Sequence, residues 1–269
     1  MRQQQNIALI GCGAIGAIVA EALHAELRDS FTVAYFCDAA PDKATVLAQR
    51  LGGKTARHED AIPCCDIVLE ATTAAAMPAI LRAAWRHGKT CVALSVGGFA
   101  LDSTLLEDAE QAPCPIYLPS GAIAGLDGVL ALRELGLDDV SLTTTKHPRS
   151  LAGTPYLEQQ GFDPASLNAP ATVFEGSAGQ AIRHFPANVN VAITLSLAGI
   201  GFERTRVRLV ADPGATRTTH TVVAKAGDCM ISATTTGVPL PQNPKSSLLA
   251  VQSAIALFRR LASLLRPGL

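Results

Sequence analysis

The most informative segment for the fold of this 269-residue chain is Gly11-Cys12-Gly13-Ala14-Ile15-Gly16. It follows the apolar run Ile7-Ala8-Leu9-Ile10, which predicts a buried strand, and it overlaps the start of a predicted helix from Ile15 to Leu27. A G-x-G-x-x-G pattern between a strand and a helix is typical of dinucleotide-binding folds, because the glycines permit the tight turn and the helix N-terminus can receive a pyrophosphate. We therefore predict that a dinucleotide binds at Gly11, Gly13, Ala14, Ile15 and Gly16. A tight turn without a ligand is the alternative interpretation.

An acidic residue follows the second predicted strand at the spacing that this motif requires. Asp38 lies 22 residues beyond Gly16, just after the strand Phe31 to Phe36. A carboxylate at this place can accept hydrogen bonds from the adenosine ribose. It also repels a 2′-phosphate, so the sequence favours NAD as the cofactor without excluding NADP. A solvated loop carboxylate is the alternative interpretation of Asp38.

Strands and helices alternate through the first 120 residues. The predicted helices Pro41 to Leu51 and Met77 to Arg86 separate further apolar strands at Ile67-Val68-Leu69 and Cys91-Val92-Ala93-Leu94. This alternation indicates a parallel sheet covered on both faces, in which ligands lie at the carboxyl ends of the strands. The residues after two of these strands are therefore predicted to line the cofactor, ordinary strand-end turns being the alternative: Ala71, Thr72, Ser95 and Val96.

The character of the chain changes after Pro119. Ser120 to Gly128 reads as the small-residue start of a helix, and Lys245 to Leu265 as a terminal amphipathic helix. Between them lie strands of alternating polarity, which suit a partly solvated sheet: Val140 to Lys146, Val207 to Val210, His220 to Ala224 and Cys229 to Thr235.

These patterns predict an α/β protein with two domains and a C-terminal helix. Residues 1–120 form a dinucleotide-binding Rossmann domain with a parallel sheet. Residues 121–240 form a mixed α+β domain for the substrate and for dimerisation. Residues 241–269 contain the C-terminal helix, which we expect to pack back on the Rossmann domain.

Composition excludes several classes of function. With 22 Lys and Arg against 23 Asp and Glu, the net charge of −1 argues against a nucleic-acid partner. The longest apolar stretch, Val189 to Gly201, is shorter than the roughly 20 residues that span a bilayer, so no membrane partner is expected. Seven cysteines without a C-x-x-C pattern indicate neither a disulfide framework nor a zinc site. We predict no metal and a reducing, cytoplasmic location.

Candidate catalytic side chains lie in the second domain. His220 begins a predicted strand after the turn Asp212-Pro213-Gly214-Ala215; a strand histidine without a catalytic role is the alternative. His147 stands beside Lys146 and Arg149, in a basic cluster that can bind a carboxylate; a solvated basic loop is the alternative. Motifs of hydrolases are missing from the sequence, including G-x-S-x-G and H-E-x-x-H.

Several segments together resemble the L-aspartate dehydrogenase family. The glycine-rich loop is shared with many dehydrogenases, whereas the other segments, taken in this order, are far more specific. The resemblance extends through nearly the whole chain and rests on these segments: Gly11 to Gly16, Ser95 to Gly98, Pro119 to Gly125, Phe185 to Val191, Asp212-Pro213 with His220, and Asn243 to Ser247.

The resemblance implies an NAD(P)-dependent enzyme that oxidises L-aspartate to iminoaspartate. The imine is hydrolysed to oxaloacetate and ammonia, or it passes to a quinolinate-forming enzyme in NAD biosynthesis. The resemblance also implies that the backbone at Ala124 and the amide of Asn190 contact the dinucleotide, that His220 is the active-site residue, and that the protein is a homodimer. An imidazole suits this role because its ordinary pKa, near 6.5, allows proton transfer in both directions close to neutral pH.

A substrate with two carboxylates needs cationic partners. The candidates in the sequence are Lys146, His147, Arg149 and Lys245. Two other functions are also consistent with the glycine-rich loop. One is a related two-domain reductase, similar to dihydrodipicolinate reductase or homoserine dehydrogenase; the other is a protein that senses NAD(H) without turning it over.

Overall fold

The computed structural model describes residues 3–185, 190–241 and 243–264, with side chains for all of these except residues 165 and 243–246. By its internal contacts the chain divides into two compact units. Of the described residues, the first unit contains 3–119 and 251–264. The second unit runs from Ser120 to Ala250.

The first unit alternates strands and helices as its sequence predicts. Its strands are β1 (Gln5–Ile10), β2 (Phe31–Cys37), β3 (Lys54–Thr55), β4 (Ile67–Glu70), β5 (Thr90–Ala93) and β6 (Ile116–Tyr117). Its helices are α1 (Ala14–Glu26), α2 (Pro41–Leu51), α3 (His58–Ala61), α4 (Met77–Arg86), α5 (Gly98–Leu101) and α6 (Leu105–Glu110), and a short 3-10 turn covers Ile62–Cys64.

These six strands form one parallel sheet in the order β3-β2-β1-β4-β5-β6. The order reverses at β1, which is the topological switch point of a Rossmann fold. Ile7, Ala8 and Leu9 of β1 have no exposed surface, as expected for a strand with helices on both faces of its sheet. The predicted Rossmann sheet is confirmed.

The second unit is built on a mixed sheet. Its strands are β7 (Asp139–Lys146), β8 (Ala171–Ser177), β9 (Arg206–Ala211), β10 (Thr218–Ala226) and β11 (Cys229–Gly237), with a separate pair β12 (Pro239–Leu240) and β13 (Asn243–Ser247). Its helices are α7 (Leu126–Glu134), α8 (Pro155–Gln159), α9 (Ala178–His184) and α10 (Asn190–Ala198), with 3-10 turns at Pro148–Leu151 and Pro164–Ser166.

The five main strands lie in the order β11-β10-β7-β9-β8. The β7–β9 pair is parallel and the other three pairs are antiparallel, so the predicted mixed α+β character is confirmed. Burial alternates along β7 and β10, because side chains of successive residues point to opposite faces of a sheet. One face carries the buried residues Leu142 and Thr144 of β7 with His220 and Val222 of β10.

Two predicted helix starts are wrong. The chain from Ser120 forms a turn, and α7 begins only at Leu126, because Gly121 and Gly125 adopt left-handed φ angles of +67° and +83°. The terminal helix α11 spans Leu248–Ala262 instead of starting at Lys245. Residues 243–247 are extended there because they pair with β12.

The helix α11 contributes side chains to the first unit. The Phe258 ring packs edge-on against Phe31 of β2, with 5.3 Å between ring centroids. Arg259 forms an ion pair with Glu26 at the end of α1. In the part of the chain that the structure describes, none of the helices has the length and apolarity needed to cross a bilayer.

Candidate functional site

The glycine-rich loop joins the end of β1 to the first turn of α1. Gly11 has a φ of +101°, and a Cβ atom there would lie 2.3 Å from the carbonyl oxygen of Ala71. A Cβ atom on Gly16 would lie 2.1 Å from the carbonyl oxygen of Gly11. Neither position therefore accepts a side chain.

Gly13 differs from its two neighbours because the space above it is open. A Cβ atom there would meet no other atom within 4 Å. Gly13 is the N-cap of α1, and no side chain caps the helix, so the N–H groups of its first turn can receive an anion. Ala14 and Ile15 form that first turn. The loop therefore fits the pyrophosphate of a dinucleotide.

Asp38 lies at the end of β2, half-buried beside the glycine-rich loop. Its carboxylate accepts hydrogen bonds from the backbone N–H of Cys12, at 2.7 Å, and of Ala40, at 2.8 Å. Each carboxylate oxygen carries two lone pairs, so the group retains acceptor capacity for ribose hydroxyls. Asp38 thus also anchors the loop, a structural role that its position in the sequence does not indicate.

The two predicted strand-end segments lie at the carboxyl edge of the same sheet. Ala71 and Thr72 follow β4, and Ser95 and Val96 follow β5. Thr72 and Ser95 both donate hydrogen bonds to the carboxylate of Glu70, the last residue of β4. Glu70 is not among the residues predicted from the sequence, although an acid at the end of an otherwise apolar strand is a signal that could have identified it.

His220 is the most deeply buried histidine among the candidates, with 6% of its surface exposed. It lies opposite Thr144 in the antiparallel pair β10–β7, and its Nδ1 is 2.9 Å from the Thr144 hydroxyl oxygen. Burial, and secondarily the charge of Lys146, lower the pKa of His220 to about 4. The imidazole is therefore neutral at pH 7. Thr144 has no motif around it and was missed, since only the strand register brings it to His220.

Lys146 ends β7 on the face of the sheet that carries Thr144, because the two residues are two positions apart in one strand. Burial lowers the pKa of the Lys146 ammonium to about 8. The other members of the predicted basic cluster have different surroundings. The His147 ring accepts a hydrogen bond from the backbone N–H of Arg149 and so caps a 3-10 turn, while the Arg149 side chain is exposed.

Three further predicted residues belong to the second unit. Ala124 is exposed in the turn before α7, and Thr235 of β11 fixes that turn with a 2.6 Å hydrogen bond to the carbonyl of Ala122. Asn190 is the exposed first residue of α10, and residues 186–189 of its motif lie outside the described residues. Lys245 lies in β13, and its side chain is among those that the structure does not describe. Among the residues that are described, His, Cys, Asp and Glu side chains form no group of three that could hold a metal.

Comparison with known proteins matches both units to families. Residues 127–261 match the family profile described as "Aspartate dehydrogenase, C-terminal", and residues 11–119 match "Homoserine dehydrogenase, NAD binding domain". The L-aspartate dehydrogenase of Methanosarcina mazei is 37% identical over 269 residues, covering 98% of this chain and 99% of that protein. The L-aspartate dehydrogenase of Nitrosopumilus maritimus is 37% identical over 266 residues, covering 96% and 97%.

A solved structure shares the fold. The crystal structure of aspartate dehydrogenase from Thermotoga maritima has a TM-score of 0.73 and 24% sequence identity, covering 98% of this chain and 99% of that one. The cofactor unit by itself does not separate this chain from homoserine dehydrogenase, whose NAD-binding profile it matches. The match of the second unit to the aspartate dehydrogenase profile distinguishes the two families.

Proposed function

The chain belongs to the L-aspartate dehydrogenase family, and from that membership we propose that it oxidises L-aspartate to iminoaspartate with NAD as cofactor. The observation that carries the proposal is the buried His220 beside Thr144 and near the charge of Lys146. This arrangement offers a neutral base and a cation on one face of a sheet. An α-amino dicarboxylate requires both groups.

The dinucleotide would be held by the loop Gly11 to Gly16, by Asp38 and by the strand ends at Thr72 and Ser95. When bound, NAD supplies the acceptor for the hydride that leaves Cα of aspartate. The resemblance adds contacts from the backbone of Ala124 and the amide of Asn190, both in the second unit. NADP remains an alternative cofactor.

His220 would act as the base. With a proton on Nδ1 directed to the Thr144 oxygen, Nε2 has a free lone pair that accepts a proton from the substrate ammonium group. The amine then has the lone pair that drives the hydride from Cα. Before the hydrolysis, Nε2 would release this proton to solvent. Nε2 can then take a proton from the water that adds to the iminium carbon and give it to the nitrogen. As ammonia departs, Nε2 accepts the proton of the new hydroxyl group, so that oxaloacetate and ammonia leave.

Lys146 would bind a carboxylate of the substrate, and the same anion would act on His220. A base with a pKa of about 4 is weak, but a dicarboxylate beside it stabilises the imidazolium and raises that pKa. We therefore expect bound substrate to make His220 a stronger base than it is in the free protein. His147, Arg149 and Lys245 remain candidate partners of the second carboxylate.

The activity is tested by following NADH with oxaloacetate and ammonium. Loss of NADH that requires both compounds establishes reductive amination. Loss without ammonium would indicate a keto-acid reductase. Tight NADH binding without turnover would indicate the sensing protein, and activity on the substrates of the related reductases would indicate those enzymes.

The variant His220→Asn tests the role of His220. We expect kcat to fall by about 10²- to 10⁴-fold, the usual contribution of a general base, while the dissociation constant of NADH stays the same. The circular dichroism spectrum and Tm control for folding. Wild-type kcat in a folded variant would reject the assignment.

The resemblance and the cysteine content lead to three broader proposals. We propose a homodimer, whose mass by light scattering is expected to be twice 28.0 kDa.

We propose a reducing, cytoplasmic location, supported by seven cysteines without a disulfide. We also propose that the imine can pass to a quinolinate-forming enzyme, which would appear as quinolinate formation that outpaces imine hydrolysis when the two enzymes are mixed.

A further inference from the structure

Glu70 is a fully buried carboxylate at the carboxyl edge of the Rossmann sheet. It ends β4 and has none of its surface exposed. Its Oε1 accepts hydrogen bonds from the Thr72 N–H, at 2.7 Å, and from the Thr72 hydroxyl, at 2.6 Å; its Oε2 accepts one from the Ser95 N–H, at 3.0 Å. None of the ion pairs among the described residues includes Glu70. Three dipolar donors therefore hold this charge.

Three loops meet at Glu70 and the residue that follows it. The side chain of Glu70 joins the loop after β4, through Thr72, to the loop after β5, through Ser95. The next residue supports the glycine-rich loop, because the Ala71 carbonyl fills the space where a Cβ atom of Gly11 would lie. The main chain adds a hydrogen bond from the Leu94 N–H to the Glu70 carbonyl, at 3.0 Å.

Stability alone does not account for a carboxylate at this position. Burying an ionised group costs free energy, and apolar residues of similar volume often serve a protein interior equally well or better. The other β4 residues, Ile67, Val68 and Leu69, are apolar and buried, as expected for a central strand. What Glu70 adds is an acceptor for donors from two separate loops, and this fixes the position of one loop relative to the other.

The order of the strands indicates which part of the cofactor these loops meet. Asp38 follows β2 and the glycine-rich loop follows β1, which assigns the adenosine and the pyrophosphate to those two strand ends. Along the sheet the next strands are β4 and β5. The nicotinamide half of an extended dinucleotide therefore falls at the two loops that Glu70 joins.

We propose that Glu70 is a positioning residue for the nicotinamide half of the cofactor, through its hydrogen bonds to Thr72 and Ser95. This inference rests on the proposed use of NAD(H). It assigns Glu70 no contact with the substrate and no proton transfer. Its consequence is selective: loss of the carboxylate weakens the binding of ligands that contain nicotinamide and leaves the adenosine and pyrophosphate part of the site intact.

The test compares NADH with ADP-ribose, which lacks the nicotinamide. In Glu70→Gln the side chain has one acceptor oxygen, so its NH₂ group must face either the donors of Thr72 or the N–H of Ser95. We expect the dissociation constant of NADH, measured by fluorescence, to rise at least tenfold. That of ADP-ribose, measured by calorimetry, should stay within twofold. Glu59→Gln, an exposed acid of the same unit, is the matched control and should change neither value.

Thr72→Val provides a second variant in case Glu70→Gln does not fold. It removes one of the three hydrogen bonds to Glu70, the 2.6 Å bond from the Thr72 hydroxyl, so we expect a smaller rise in the dissociation constant of NADH, again with ADP-ribose unchanged. Thr72→Ser restores a hydroxyl and should recover most of the lost affinity.

The outcomes separate this inference from the proposed function. The role of Glu70 is overturned if both Glu70→Gln and Thr72→Val lose affinity for NADH and ADP-ribose equally, or if neither variant loses affinity for either ligand. In those cases NADH binding by the wild-type protein still supports the proposed cofactor. A wild-type protein that binds ADP-ribose but not NADH overturns both.

Discussion

At the scale of single residues, Lys146 and His220 show how burial sets the charge available to a substrate. The pKa of each side chain is lowered by burial, which disfavours the charged form of both. Lys146, with a pKa of about 8, still carries its charge at pH 7, whereas His220 does not. The pair therefore presents one cation and one neutral base at neutral pH.

Lys146 predicts a pH dependence of substrate binding. Because the ammonium loses its proton as the pH rises through about 8, we expect the KM for oxaloacetate to rise above that pH. The rise approaches tenfold per pH unit, since the charged fraction falls by that factor. The measurement is KM between pH 6 and 10 with ammonia saturating. Lys146→Arg, which stays charged, should show a flat profile over this range.

A flat KM profile in the wild-type protein would contradict the role of Lys146. The pH range between 6 and 10 is informative because the carboxylates of oxaloacetate stay ionised throughout it. The wild type and Lys146→Arg are compared by how KM changes with pH and not by the absolute KM, because an arginine also changes the geometry of the contact.

Asp38 predicts a change of cofactor preference. Asp38→Asn removes the charge that repels a 2′-phosphate and weakens the acceptor for the ribose hydroxyls. We expect the ratio of the dissociation constants of NADH and NADPH to shift toward NADPH by about tenfold or more, since hydrogen bonds to charged groups contribute about 1.5–3 kcal/mol. The ratio is the decisive quantity because Asp38 also anchors Cys12 and Ala40. If the affinities for NADH and NADPH fall equally, Asp38 anchors the loop but does not select the cofactor.

At the scale of elements, the turn between β1 and α1 predicts opposite outcomes for two glycines. Gly16→Ala places a Cβ atom against the Gly11 carbonyl, so we expect the first unit to lose stability. Gly13→Ala meets no atom of the protein and has an allowed φ of −73°, so the fold should persist. NADH binding should nevertheless weaken at least tenfold in Gly13→Ala, because the methyl group occupies the space through which a phosphate approaches.

Thermal unfolding and NADH titration of both variants test this pair. For Gly13→Ala we expect a change in Tm of less than about 4 °C, since an N-cap substitution costs about 1 kcal/mol. Unchanged NADH affinity in Gly13→Ala would contradict the placement of the pyrophosphate at this turn.

At the scale of the whole molecule, the first unit takes elements from both ends of the chain. Phe258 of α11 is fully buried and packs against Phe31, so a residue near the C-terminus completes a core that begins at β1. We expect Phe258→Ala to lower the free energy of unfolding of this unit by about 3–5 kcal/mol. Arg259→Ala breaks only an exposed ion pair and should cost less than about 1 kcal/mol.

Urea unfolding followed by tryptophan fluorescence measures both effects. The single tryptophan of the chain, Trp85, is buried in α4 of the first unit and therefore reports on that unit. Equal midpoints for Phe258→Ala and the wild type would show that α11 is dispensable for the first unit.

Sequence patterns alone were enough to predict the Rossmann sheet and the glycine-rich loop. Each of their features is local: apolar strands, a glycine pattern at a strand–helix junction, and an acid at a fixed distance along the chain. The helices α2 and α4 accordingly have the predicted bounds, Pro41–Leu51 and Met77–Arg86. Local patterns also predicted β7, β9, β10 and β11 of the second unit, but they missed β8, β12 and β13. They started two helices too early, one where glycines adopt left-handed φ angles and one where the chain pairs as a strand.

The contacts between side chains of different strands could not be predicted from the sequence. Thr144 and His220 are 76 residues apart in the sequence, and the pairing register of β7 with β10 brings them within a hydrogen bond. Glu70 acquires its partners in the same way, because Ser95 follows a different strand of the parallel sheet. The sequence of a strand specifies which residues face the interior, but the packing of the whole sheet selects the partners they meet there, since register depends on contacts that are distant along the chain.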